Sequence, residues 1–202
     1  MLTYLAAALP RFTSPGARLL ALQCALRADA SGRLRVPRGL LRGMRMYGRT
    51  ELWQELARAR WLHLPDLKSA PVEVQLRDVT LDHAPGRRTR CHAAHWALHP
   101  APSALLATAP PAVRLTALVL AAHTSAHEQH GVDMDILARL CGHSPQQTAD
   151  LLDQLVSARA LNAWHHNRES DEVFWKLPQQ QAQTRLVVSP GRRQAPQPWN
   201  PA

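Results

Sequence analysis

The sequence predicts a mainly helical fold with small β-hairpins, in which one run of elements is used twice. Three observations carry this. Apolar residues recur at helical spacing in several segments, and start signals such as Ser14-Pro15 and Ser144-Pro145 stand just ahead of two of them. Short stretches that alternate apolar and polar residues lie between or after those segments. A chain of 202 residues, 46% of them hydrophobic, has length and apolar content for one mid-sized domain or two small ones.

Residues 1–12 form a short apolar lead-in, a helix or strand laid on the first domain. Ser14-Pro15 reads as an N-cap with proline at the first helical position, opening a helix to about residue 28 with Leu19, Leu20, Leu22, Ala25 and Leu26 inside. Residues 32–36 alternate Arg33, Leu34, Arg35 and Val36, a half-buried strand. Next comes VPRGLLRGMRMYGRTELWQELARARWL, residues 36–62, read as two short helices around a turn broken by Gly43 and Gly48. The second of these helices aligns Thr50, Gln54 and Arg58 on one face and Leu52, Leu56 and Ala59 on the other. Strands at 61–64 and 72–81 complete the first run: helix, strand, helix, helix, strand, strand.

Residues 83–111 change to Ala, Pro, His and Arg without a clean period, a linker with a short helix at 91–98. The order then repeats. Residues 112–127 carry Leu115, Leu118, Val119 and Ala122, a buried helix, and Asp133 caps a short helix that Gly142 terminates. Ser144-Pro145-Gln146-Gln147 is a capping box, and its helix has Leu151, Leu152, Leu155 and Val156 on the core side, ending near residue 160. Residues 161–166 and 173–177 form a hairpin whose tip is 167–172.

The first run, 34–62, resembles the winged helix-turn-helix superfamily of DNA-binding regulators. SPQQTADLLDQLVSARAL resembles the third helix of winged-helix regulators of the MarR and GntR kind. Together the resemblances span roughly two-thirds of the chain, as a fold signature that many functions share. They imply a mainly α protein with small β-wings, built as two tandem winged-helix domains. The first, at 1–82, is basic and binds DNA; 83–111 is the linker; the second occupies 112–177; the Gln- and Pro-rich tail 178–202 is disordered apart from Leu186-Val187-Val188.

Charge points to the same partner. The formal net charge is +9, and residues 1–100 hold 16 basic and 7 acidic side chains against 8 and 8 in 101–202. Nucleic acid is the commonest acidic partner of such a chain. Arg33, Arg35, Arg38, Arg42, Arg45 and Arg49 read as phosphate contacts, which position without specifying. Arg58 suits guanine and Gln54 adenine in a major groove, while Thr50 reads as the N-cap of their helix. Trp53 and Trp61 read as packing residues; Glu51 and Glu55 either complement a helix dipole or exclude wrong bases. The second copy exposes Gln146, Gln147, Asp150, Asp153 and Gln154, and residues 109–178 sum to −3. It either touches bases weakly through Gln146, Gln147 and Arg168 or, as the charge favours, is a dimerisation or partner-docking module.

The reading is a double-stranded-DNA-binding regulator of transcription, cytoplasmic and nucleoid-associated, with no cofactor or metal. The dominance of Arg over Lys, with heavy Ala and Leu usage, suggests a GC-rich bacterial genome. Two rivals are a plasmid or phage replication or partition protein with paired winged helices, and a scaffold whose Arg cluster serves an acidic protein. Cys91, His95 and His99 fall at i, i+4, i+8 with His92 adjacent, and His123, His127 and His130 form a second row, but no paired-ligand pattern of structural zinc occurs. Surface histidines are the expectation there, with Cys91 and His95 the first ligands to test. Nine isolated glycines make no phosphate loop, and neither G-x-S-x-G nor H-E-x-x-H occurs, so no enzyme is expected. Three widely spaced cysteines, no signal peptide and no apolar run of membrane length complete an expectation of a soluble protein in a reducing compartment, with no membrane partner.

Overall fold

The computed structural model describes residues 1–77, 85–99, 108–124 and 131–178. A short helix α1 (Leu2–Ala8) leads into α2 (Pro15–Arg27). Pro15 supplies the fixed φ of a first helical turn, and the Ser14 hydroxyl accepts from Ala17 N–H at 3.3 Å. Every residue of α2 from Gly16 to Leu26 is buried, so this helix is the axle of the molecule rather than an amphipathic surface helix. It packs against α1, α4 (Thr50–Arg58), α5 (Arg87–Trp96) and α6 (Pro111–His123). The crossing with α4 is close: a Cβ at Gly16 would stand 3.1 Å from Leu52 Cδ2.

Strand β1 (Arg33–Val36) pairs antiparallel with β2 (Val72–Gln75), Leu34 opposite Val74 and Arg35 opposite Glu73. Alternation buries Leu34, Val36, Val72 and Val74 and leaves Arg33, Arg35 and Glu73 in solvent. The strand expected at 61–64 is reduced to one bridge, Leu62 to Leu76, flanked by His63 N–H to the Gln75 carbonyl at 2.9 Å. Pro65 lacks the donor that would carry the ladder on. The strand expected over 72–81 stops at Gln75, and its end from 78 lies outside the described residues. Between the strands, α3 (Arg38–Gly43) and α4 flank a turn in which Arg45 and Gly48 take left-handed φ of +59° and +79°. Met44 and Met46 fill the space beneath that turn.

Within the stretch read as a linker, α5 begins four residues earlier than the short helix expected at 91–98. Two buried polar side chains fasten it to α2. Gln23 Nε2 donates to the Ala94 carbonyl at 3.1 Å, and Arg90 Nη1 donates to the Ala28 carbonyl at 2.9 Å.

In the later half α6 leads to β3 (Val132–Asp133), α7 (Met134–Cys141), α8 (Pro145–Ser157), β4 (Ala163–Asn167) and β5 (Glu172–Lys176). The expected start and stop signals operate as local chemistry. Asp133 caps α7, Gly142 ends it at φ +74°, and Ser144 with Gln147 closes a reciprocal capping box on α8. The strands order as β3-β5-β4, with β3 an unexpected first member. Ala122, expected inside, is exposed at the end of α6. The later half runs helix, strand, helix, helix, strand, strand with its last strand between the other two, whereas the first half pairs only β1 with β2 beside the single Leu62–Leu76 bridge.

The halves do not have separate interiors. One buried apolar cluster includes Leu20, Leu56 and Val74 together with Leu118, Leu137 and Leu152. Among the described residues no helix is long and apolar enough to cross a membrane.

Candidate nucleic-acid interface

The outer face of α4 carries Thr50, Gln54 and Arg58 in solvent, while Leu52, Trp53 and Leu56 fix its inner face to the core. Thr50 is not the cap. Arg49 holds the N-cap position without a side-chain bond, because Gly48 turns the backbone early enough for Thr50 to be the first helical residue. Its N–H donates to the Gly48 carbonyl at 3.0 Å. Trp53 and Trp61 are both buried, the packing role expected of them.

The arginines around α4 divide by partner. Arg35 is paired with Glu73 at 3.0 Å, and Arg49 with Glu51, whose carboxyl pKa is lowered mainly by that bond. Arg33 lies beside Asp29, whose carboxylate accepts the Arg33 backbone N–H at 2.9 Å and whose pKa is lowered first by the Ser31 hydroxyl and in part by the Arg33 charge. Arg38, Arg42, Arg45 and Arg58 form no ion pair among the described residues. Arg33 Nε donates to Gln75 Oε1 at 3.0 Å, and Arg38 Nη2 to the Lys68 carbonyl at 2.8 Å. Arg42 lies 4.9 Å from the centre of the half-exposed Tyr47 ring. Arg58 Nε donates to the Gln54 carbonyl at 3.3 Å on its own helix. A groove of about 170 Å³ at the start of α4 is lined by Arg38, Tyr47, Arg49, Thr50 and Trp53.

Arg45 departs from this set. Its Nη1 donates to the Thr108 carbonyl at 3.3 Å, and nearby Arg114 Nη1 donates to the Met44 carbonyl at 2.9 Å. Burial, then the charge of Arg45, lowers the Arg114 pKa. Both cations therefore tie the α3–α4 turn to the start of α6. Glu55 departs too: its two carboxylate oxygens accept from Ser14 N–H at 2.6 Å and Ser14 Oγ at 2.5 Å. It serves the N-terminus of α2 and is not free to reject bases.

On α8, Gln146 is exposed and donates to Asp150 Oδ1 at 3.1 Å. Gln147 is exposed as well, but its amide oxygen accepts the Ser144 N–H at 3.1 Å. That oxygen is committed to the capping box, which removes half of the bidentate pattern adenine would need. Asp153 accepts the Trp164 indole N–H at 2.8 Å, so two aspartates and their donors occupy the middle of α8. Arg168 stands exposed at the tip of the β4–β5 hairpin.

Cys91, His92 and His95 are exposed on α5, and the His95 and His99 rings lie 6.1 Å apart. No group of three or more His, Cys, Asp or Glu among the described residues is arranged to hold a metal ion. His127 and His130 lie outside the described residues. Burial raises the Cys24 and Cys141 thiols to about 12, which keeps them protonated and unreactive at neutral pH.

Four polar residues escaped the sequence reading: Arg18, Gln23, Arg90 and Arg114. All are buried or half-buried and donate to backbone carbonyls, while the buried Gln23 Oε1 has no hydrogen-bond partner. Arg18 had a signal, a cation in the first turns of a helix whose following residues are almost all apolar. No protein-family model, curated protein or solved structure matches this chain.

Proposed function

We propose that the chain binds double-stranded DNA as a pair of tandem winged helices, its first copy laying α4 in a groove, and acts in bacterial transcriptional control. The observation that carries this reading is the division of the arginines. Arg38 and Arg42 stand beside the start of α4, Arg58 lies on its exposed Thr50–Gln54–Arg58 face, and none of the three forms an ion pair among the described residues. Exposed guanidinium groups held on neutral acceptors keep their full charge for a polyanion. Arg45, turned toward Thr108, takes a lesser part.

The paired aspartates on α8 favour a second role for the later copy. Asp150 and Asp153, exposed on α8, would repel phosphate, so that helix docks a protein partner or a second copy of the chain.

Titration of a fluorescent duplex across a salt series tests both statements. Binding weakens with salt at a log–log slope of roughly −0.9 per phosphate neutralised. Arg38→Ala and Arg42→Ala lower affinity for every duplex and flatten that slope by about one each. Glu51→Gln and Glu73→Gln, both on exposed pairs, tighten binding by releasing Arg49 and Arg35. Asp150→Asn with Asp153→Asn leaves duplex affinity unchanged; a gain would mean that α8 also meets DNA. Salt-independent or undetectable duplex binding would favour the rival reading, a scaffold for an acidic protein.

A further inference from the structure

We propose that an apolar cleft between the helices receives the chain's own triplet Leu186-Val187-Val188. The cleft has a volume of about 290 Å³ and lies between α1, α2, α5 and α6, with Leu22, Leu26, Ala93 and Leu118 in its walls. Trp96 borders it and is 40% exposed, one of five large hydrophobic residues that face solvent among those described. An apolar concavity of this kind is a place where covering removes surface from water.

Where the described chain ends selects the occupant. The last described residue is Pro178. Three residues before it, Trp175 donates its indole N–H to Thr124 Oγ1 at 2.9 Å. Thr124 directly follows His123, which lines the cleft. The end of β5 is thereby held beside the end of α6. Leu186 is eight residues beyond Pro178, and eight residues extend up to about 26–29 Å. A helix with its side chains is only about 10–12 Å across, so the triplet can pass around α6 to the cleft.

Composition selects the same segment. From 179 to 202 the chain is Gln, Pro, Ala, Arg and other small or polar residues, broken by one run of three branched aliphatics and by the lone Trp199. The run has apolar side chains without charge, matching walls made of Leu and Ala. The inference is independent of DNA binding, since none of the arginines around α4 lines the cleft.

The test uses the full chain with a photoreactive benzophenone side chain at position 186. Irradiation and peptide mapping should place cross-links within one chain, on the segments 22–26, 93–97 and 118–123. Ala122→Trp, at an exposed position bordering the cleft, should cut the yield about tenfold while leaving the helical circular dichroism intact. Val187→Asp with Val188→Asp should do the same. Cross-links between isotopically distinguishable copies would overturn the proposal in favour of a second chain as occupant. Cross-links to another surface, none at all, or a yield indifferent to either variant would overturn it outright.

Discussion

Arg18 is 2% exposed and forms no ion pair among the described residues, yet burial of a cation without compensation costs several kcal/mol. Its compensation is backbone. Nε donates to the Thr13 carbonyl at 3.1 Å, and Nη2 to the Pro10 and Arg11 carbonyls at 3.0 and 2.9 Å. The guanidinium lies close against Gly142, the left-handed residue that ends α7 and starts the turn into α8. A Cβ at Gly142 would strike Arg18 Nε, and φ of +74° is unfavourable for alanine as well. Gly142→Ala should therefore destabilise the fold by more than about 1 kcal/mol, read as a lower urea midpoint at constant m-value. Next to it His143 is half-buried with Nε2 unpartnered, and burial, then the charge of Arg18, lowers its pKa below 6.5. Below that ordinary value the unfolded chain binds the proton more readily than the native one. Its contribution to stability is therefore whole above pH 6.5 and declines as pH falls toward the folded pKa. His143→Gln should flatten this segment of the stability–pH curve; an unchanged slope between pH 7 and about 5 would rule the histidine out as its source.

Among the elements, α5 shows why a stretch poor in periodicity still folds. Its sequence RRTRCHAAHW has little apolar face, and only Arg90 and Ala94 are buried. Arg90 carries it: Nη1 reaches the Ala28 carbonyl and Nε the Pro85 carbonyl at 3.0 Å, placing a cation at the C-terminus of α2 where the helix dipole is negative. Removing it strands carbonyls inside the structure. Arg90→Ala should cost about 1–3 kcal/mol, and Arg90→Lys should recover only part, because a point ammonium cannot span both acceptors. Chemical denaturation of the two variants beside the parent measures the difference. Helix α4 presents the complementary case, an amphipathic element whose outer face is exposed because Leu52, Trp53 and Leu56 on its apolar side are buried in the core, in part against α2.

For the molecule as a whole, the axle helix α2 meets α6, and α1 meets α7, so each half supplies packing to the other. The reciprocal bonds of Arg45 to Thr108 and Arg114 to Met44 add polar links across the same divide. A shared interior of this kind loses its halves together. Urea unfolding should give coincident transitions by far-ultraviolet circular dichroism and by tryptophan fluorescence, since Trp53 and Trp61 lie in the first half and Trp164 and Trp175 in the second. Two resolved transitions would mean that the common cluster contributes little. In the proposed role, the same coupling would transmit events at α8 to the α3–α4 turn through packed side chains.

By itself the sequence determined those features whose physics is complete within a turn or two. These are the Ser14 and Ser144 caps, the Asp133 cap, the left-handed Gly142, the alternation of β1, and the polar outer face of α4. Each depends on residues a few positions apart, so spacing and residue type suffice. Tertiary structure alone decided which charges remain available. Glu55 finds Ser14 at 41 residues' distance, Arg45 turns toward Thr108 at 63, and Gln23 meets Ala94 at 71. A charge count cannot see such partners, because a guanidinium's fate is set by whichever acceptor the folded backbone brings within about 3 Å.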